Sequence, residues 1–145
     1  MNLELLVMTA EHFGSESAFK HRRLWLILGW ALFLSVIYLS LTPTPVEIPL
    51  AEGDKLGHLL AYGTMMIWFS NIFENLIPRA SLAVGLVAMG IALEFVQGWT
   101  GFRTFDIADM VANACGVFAG WAIAPPRTPN FLRCVESLRL FRKRH

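Results

Sequence analysis

The sequence predicts an all-α membrane protein, a bundle of about four transmembrane helices, and three observations support this prediction. Hydrophobic residues make up 55% of the 145 residues and charged residues only 16%, with a mean hydropathy of +0.51. Soluble domains carry roughly 25% charged residues, and one small core cannot hide this much apolar surface from water. Four apolar runs follow one another along the chain, each near the roughly 17–25 residues that cross a bilayer. Lipid is therefore expected to cover the apolar excess.

The first apolar run is predicted to be a transmembrane helix that is retained in the mature protein. It covers residues 24–41 and follows the basic segment 20–23. Its apolar core is longer than that of a signal peptide, and Pro43 and Pro45 follow it in place of a small-residue cleavage site.

Prolines and short polar segments delimit the other three spans. Pro78 fits the boundary before the third span, and Pro125 with Pro126 ends the fourth. These spans are predicted at residues 56–73, 80–99 and 107–123. The chain is thus divided into an N-terminal arm (1–23), a four-helix transmembrane domain (24–124) and a basic tail (125–145).

The tail is predicted to form a basic amphipathic helix on the inner membrane surface. Its apolar positions Leu132, Val135, Leu138 and Phe141 recur at helical spacing, with basic residues between and after them. Such a helix binds the interface between anionic headgroups and acyl chains.

The distribution of basic residues predicts the orientation. The segment 20–23 before the first span, Arg79 in the second loop and the tail are basic, whereas the first and third loops carry little net positive charge. The positive-inside rule then places both termini in the cytoplasm and makes the chain a multi-pass protein of the cytoplasmic membrane. The net charge of +1 provides no field that favours nucleic acid.

Polar side chains of the spans collect at the helix ends that are predicted to face outward. In the second helix, Asp54, His58 and Tyr62 are spaced four residues apart and share one face. Glu94 and Gln97 lie in the last two turns of the third helix. Because neighbouring helices run in opposite directions, these groups are expected to meet in one outer-leaflet polar pocket.

The start of the fourth helix completes this predicted pocket with Asp106, Asp109 and Asn113, and Lys55 and Arg103 lie at its rim. Structural roles are alternatives for several of these residues. Asp106 is suited to cap the helix, Lys55 to reach headgroups, and Asn113 to bond across helices. Further along the same helix, Gly116 and Gly120 predict a face for close helix packing.

Glu94 is the residue that is hardest to explain by structure alone. It lies more than one turn inside the predicted span, where a lone carboxylate costs several kcal/mol. We therefore expect it to be protonated, paired with Arg103 or His58, or in contact with a wet cavity.

In order, spacing and residue type, this pattern resembles the VanZ-like family. The matching residues are Asp54-Lys55-x-x-His58, Glu94-x-x-Gln97 and Arg103-x-x-Asp106-x-x-Asp109-x-x-x-Asn113-x-x-Gly116. The resemblance implies a small bacterial inner-membrane protein of the cell envelope. The founding member is associated with antibiotic resistance to the glycopeptide teicoplanin, and whether resistance carries over to this chain is left open.

The first functional hypothesis is a binding protein for an anionic, lipid-linked envelope precursor or an amphiphilic glycopeptide drug. Lys55 and Arg103 suit phosphate or carboxylate, and amide groups would orient the ligand. The residues assigned to ligand binding are Asp54, Lys55, Gln97, Arg103, Asp106 and Asn113.

The second hypothesis is an enzyme that acts on such a lipid, with His58, Glu94 and Asp109 as catalytic residues. These side chains suit general acid–base catalysis, or they could hold a hard divalent cation together with Asp54 or Asp106. The sequence shows no nucleophile motif, and it predicts no other cofactor. Whether the protein is an enzyme is left open.

Proton-coupled transport through Glu94 is a third and weaker hypothesis. The inner halves of the helices read as apolar, and no internal repeat is evident. A homo-oligomer could supply the missing path, and the sequence leaves the oligomeric state open.

Overall fold

Five α-helices make up the described part of the protein, which covers residues 19–43, 53–101 and 104–141 of a computed structural model. The helices are α1 (Arg22–Leu41), α2 (Gly53–Ile72), α3 (Leu76–Thr100), α4 (Ile107–Ile123) and α5 (Phe131–Phe141). The all-α prediction is confirmed for these ranges. Most of the predicted N-terminal arm, and Arg103, lie outside the described residues.

The helix bounds follow the predicted spans, and the clearest difference is at α3. This helix begins at Leu76, one turn before its predicted start, so Pro78 lies inside the first turn. The first N–H groups of a helix have no intrahelical acceptor, so a proline at that place removes no hydrogen bond. α4 begins at Ile107 and ends at Ile123, as predicted.

Within the described ranges, α1 and α3 are long and apolar enough to cross a membrane, and α4 is a shorter apolar helix. α1 buries only Trp25, Gly29 and Val36. The rest of its surface is largely apolar, with Ile27 and Leu34 more than half exposed. Apolar surface of this extent is typical of a helix that faces lipid, so these helices support a membrane protein.

α2 is the central helix, and α4 packs against it with almost no space between the two backbones. A Cβ at Gly116 of α4 would collide with the carbonyl oxygen of Leu59. A Cβ at Gly120 would lie 2.6 Å from the carbonyl oxygen of Gly63. The predicted close-packing face of α4 is therefore present, and Gly63 is its counterpart on α2.

α5 docks on the end of the bundle where α2 ends and α3 begins. Leu132 is fully buried, and Val135 packs against the same apolar cluster as Trp25. The Phe131 N–H donates to Asn71 Oδ1 at 3.0 Å and so satisfies one of the unpaired groups of the first turn of α5. The tail is thus helical, and one face of its helix is held by the bundle.

Glu136 of α5 joins the tail to the start of α1. Its carboxylate accepts hydrogen bonds from the N–H of Lys20 at 3.0 Å, the N–H of His21 at 2.9 Å and the indole of Trp25 at 2.8 Å. Partial burial acts to raise the pKa of Glu136, but these three hydrogen bonds outweigh it and hold the pKa below its ordinary value. The carboxylate also lies at the N-terminal end of α1, where the helix dipole favours a negative charge.

Arg79 is buried at the same end of the bundle. Its Nε donates to the Phe73 carbonyl at 2.6 Å, its Nη2 to the Ser70 carbonyl at 2.6 Å, and its Nη1 to the Pro125 carbonyl. One side chain therefore joins the end of α2 to the segment that follows α4. We call this end of the bundle, with Asn71, Glu74, Arg79, Arg133 and Glu136, the tail end.

Candidate functional site

Opposite the tail end, α2, α3 and α4 bring together a group of side chains that we call the polar site. Its members are Asp54, His58, Glu94, Asp109 and Asn113. α2 and α4 begin here and α3 ends here, so residues that are far apart in the sequence meet. The members on α3 and α4 are buried, His58 is 9% exposed, and Asp54 lies at the surface.

His58 is at the centre of the polar site. Its Nδ1 lies 3.0 Å from Asn113 Oδ1, an oxygen that only accepts hydrogen bonds, so Nδ1 carries a proton and donates it. Its Nε2 lies 3.5 Å from Asp109 Oδ2 and 3.9 Å from Asp54 Oδ1. Both distances exceed those of good hydrogen bonds. The other ring nitrogen, Nε2, therefore faces two carboxylates.

This arrangement fits a divalent cation. One ligand atom each from Asp54, His58 and Asp109 lies within 4.8 Å of the other two. Around a six-coordinate ion with bonds of about 2.1 Å, adjacent ligand atoms are about 3 Å apart and opposite ones about 4 Å. The separations of 3.5 and 3.9 Å from His58 Nε2 to the two carboxylates lie in this range. Imidazole and carboxylate are ligands for such ions, and Asn113 fixes the ring as partners of metal-bound histidines do.

The polar site carries an excess of negative charge. Asp54, Glu94 and Asp106 are all within electrostatic reach of the Asp109 carboxyl. The cationic side chain of Lys55 lies at the edge of the site, and its Nζ is 4.0 Å from Asp106 Oδ2. Repulsion between carboxylates is strong where the dielectric constant is low, and a bound divalent cation would relieve it.

Glu94 is 1% exposed and is held at the end of α3 by one of its two oxygens. Its Oε1 accepts a hydrogen bond from the N–H of Asp106 at 2.7 Å. Its Oε2 is buried and has no hydrogen-bond partner in the described chain. The hydroxyl of Tyr62, one turn below His58 on α2, is a second buried polar atom without such a partner.

Asp106 has the structural role that its position predicted. Its Oδ1 accepts a hydrogen bond from the N–H of Ala108 at 2.8 Å, so it caps α4. With Lys55, it joins the starts of α2 and α4 at the edge of the polar site.

Gln97 and Arg103 are not brought to the polar site by the described part of the chain. Gln97 is buried, and its Nε2 donates to the Ser40 carbonyl at 2.6 Å, which joins α3 to the end of α1. Arg103 lies outside the described residues. A role of either residue in ligand binding stays a prediction.

Sequence reasoning missed Gly90, which makes room for Asn113. A Cβ at Gly90 would lie 2.9 Å from the Asn113 Nδ2, so any side chain there would push Asn113 away from His58. The spacing in the sequence could have pointed to this role, because Gly90 precedes Glu94 by four residues and so lies on the same face of α3.

Comparisons with known proteins agree with the family resemblance that the sequence suggested. A profile of the VanZ/LLP1 family matches residues 3–132. An uncharacterized protein of Schizosaccharomyces pombe is 31% identical over 101 residues, which are 68% of this chain and 60% of that protein. The chain therefore spans less than two thirds of the length of this relative. No solved structure gives a significant match.

Proposed function

The chain belongs to the VanZ/LLP1 family, and on that premise we propose that it is a multi-pass membrane enzyme that hydrolyses a lipid-linked phosphate with the help of a divalent cation. Asp54, His58 and Asp109 hold the cation. The observation that carries the proposal is the position of His58 Nε2, at 3.5 and 3.9 Å from the two carboxylates.

The exposed apolar surfaces of the helices support the membrane placement. α1 and α3 are long enough to span a bilayer, and α4 is nearly so. α2 completes the four spans because it lies between them and buries most of its polar face. The basic residues at the tail end favour a cytoplasmic position for that end. The polar site then lies at the outer leaflet of the cytoplasmic membrane.

The surroundings of the polar site suit a substrate with a lipid chain. Phe95 follows Glu94, Phe105 precedes Asp106, and the two rings lie 5.3 Å apart. Both rings are more than one third exposed, and Trp99 is 90% exposed. A polar cluster beside an apolar, aromatic surface fits a molecule with a charged head and a hydrocarbon tail.

The charges of the site favour phosphate as the reacting group. A carboxylate cluster alone would repel an anion. A cation held by Asp54, His58 and Asp109 would supply the positive charge that attracts phosphate oxygens and the Lewis acidity that favours hydrolysis. The imidazole of His58, fixed by Asn113, holds its place in the site without rearrangement. The fungal relative shows that related chains occur outside bacteria, so a lipid-linked phosphate fits better than a substrate confined to bacterial antibiotic resistance.

Manganese binding and product formation test the proposal together. Mn²⁺ is titrated into purified protein and read by electron paramagnetic resonance, with Asp109→Asn as the site variant and Glu74→Gln at the tail end as the matched control. The wild type and the control are expected to bind. Asp109→Asn is expected to lower the affinity for Mn²⁺ by more than the roughly 10–100-fold that changes to residues around the metal ligands cause.

The same proteins are incubated with polyprenyl monophosphate and polyprenyl diphosphate in phosphatidylcholine vesicles, and the products are read by mass spectrometry. Product that requires Mn²⁺ and is absent with Asp109→Asn supports the proposal. If the wild type binds no Mn²⁺, or if product forms equally in chelator, the proposal is wrong.

Binding without hydrolysis is the second candidate function. It is favoured by the ammonium group of Lys55 at the edge of the site, 39% exposed in its side chain, which suits the phosphate or carboxylate of an envelope precursor or an amphiphilic glycopeptide. Retention of unaltered polyprenyl diphosphate by the wild type, reduced in Lys55→Met, would select this function over catalysis.

A further inference from the structure

Glu94 differs from the other carboxylates of the polar site in how its oxygens are used. Asp54 and Asp109 each place one carboxylate oxygen within 4 Å of His58 Nε2. Glu94 is outside that group of ligand atoms, although its charge acts on Asp109. One of its oxygens is held by the Asp106 N–H at 2.7 Å, and the other has no partner in the described chain.

Structural needs do not account for this second oxygen. A buried carboxylate that serves stability closes its hydrogen bonds, as Glu136 does with donors from three residues at the tail end. Glu94 is more deeply buried than Glu136, and still no group of the described ranges pairs with its Oε2. Leaving such an atom unpaired costs stability, so its retention points to a use.

The bond from Asp106 holds Glu94 within electrostatic reach of Asp109, one of the cation ligands. Asp106 is itself the cap of α4, two residues from the backbone N–H that it binds, so the donor belongs to a rigid helix start. With Oε1 fixed, Oε2 is fixed as well. A carboxylate that is preorganised near a metal site, without being a ligand, is placed to exchange protons.

We propose that Glu94 is the general base of the site, and that Oε2 takes a proton from the water molecule that attacks phosphorus. This inference rests on the proposed hydrolysis. As the water oxygen bonds to phosphorus, the bond from phosphorus to the leaving oxygen breaks. The departing oxygen then receives a proton from Glu94 or from solvent, so the net reaction consumes one water molecule.

Three variants test this assignment, with polyprenyl monophosphate and diphosphate as probes in H₂¹⁸O. Glu94→Gln keeps the shape and the bond from Asp106 but cannot accept the proton. It is expected to lower kcat by about 10²–10⁴-fold. Its Mn²⁺ affinity is expected to fall by much less than the roughly tenfold that changes around a metal site cause. Glu94→Asp restores a carboxylate and is expected to recover part of kcat. Glu74→Gln, the matched change at the tail end, is expected to behave as the wild type.

The comparison of kcat with Mn²⁺ affinity supplies a readout that a structural role would not give, because a distorted site would lose both. In the wild type, ¹⁸O is expected in the released phosphate. Equal kcat in Glu94→Gln and the wild type overturns the assignment. A loss of Mn²⁺ affinity as large as that of Asp109→Asn also overturns it, because Glu94 would then be a ligand. No product from the wild type overturns the hydrolysis itself and this inference with it.

Discussion

The two ends of the bundle use buried polar groups in opposite ways. At the tail end, charge meets opposite charge or a backbone group: Arg79 donates to three carbonyls, Glu74 pairs with Arg133 at 2.8 Å, and Glu136 accepts from three donors. At the polar site, carboxylates face other carboxylates and an imidazole at distances that are too long for good hydrogen bonds. The charged groups of the first arrangement find partners without a ligand, although the hydroxyl of Ser70 there has none in the described chain. The second arrangement becomes favourable when a cation is present.

This difference separates a structural cluster from a candidate functional one without reference to residue type, since both contain acids, amides and basic side chains. Proteins retain unfavourable local electrostatics where a ligand will use them. The comparison therefore predicts opposite responses to substitution at the two ends.

The largest effect is expected from Arg79→Met at the tail end. The change leaves the carbonyls of Phe73, Ser70 and Pro125 without their donor, and the free energy of unfolding should fall by about 3 kcal/mol or more. Thermal unfolding in detergent measures this loss. The folded fraction should bind Mn²⁺ with the affinity of the wild type, and weaker binding would contradict the separation of the two ends.

Asp109→Asn should have the opposite effect on stability. In chelator, the variant loses repulsion with neighbouring carboxylates, so its thermal midpoint should equal or exceed that of the wild type. Mn²⁺ at 100 times its dissociation constant should stabilise the wild type by about 2.7 kcal/mol and leave the variant unchanged. A variant that is clearly less stable in chelator would show that Asp109 is structural after all.

Glu136→Gln should give the smallest effect, about 1 kcal/mol after allowance for solvent screening, seen as faster hydrogen exchange in the tail helix at pH 7. Because the pKa of Glu136 is lowered in the folded protein, its stabilisation is complete above the unfolded value of about 4.3 and is lost as the pH falls through the folded value. Wild type and variant should therefore converge once the pH is below the folded pKa of Glu136. A difference that persists in acid would rule out the carboxylate as its cause.

The sequence predicted the helices well because their signals are local. The bounds of α4 follow from a capping aspartate, an apolar run and two prolines. The close approach of α4 to α2 follows from Gly116 and Gly120, and the grouping of His58, Asp109 and Asn113 from helical spacing on antiparallel helices.

What the sequence did not reveal depends on contacts between distant residues. Asn71 was overlooked, and Arg79 was read only as a basic residue of the second loop, because their partners are backbone groups whose positions only the fold defines. The amide of Gln97 looked like a ligand group, yet it donates to Ser40 of α1. Glu94 was expected to be protonated, paired with Arg103 or His58, or in contact with a wet cavity. The backbone N–H of Asp106 holds one of its oxygens, a partner that the sequence did not suggest, and Arg103 lies outside the described residues.

The glycine contact between α2 and α4 also restricts how this protein can evolve. His58 and Gly63 lie on the same helix, and the first meets Asn113 while the second meets Gly116 and Gly120. One residue inserted between them would turn His58 by about 100° relative to the glycine contact, given 3.6 residues per turn. Insertions and deletions in this part of α2 are therefore expected to be eliminated by selection, while the exposed surface of α1 is free to change.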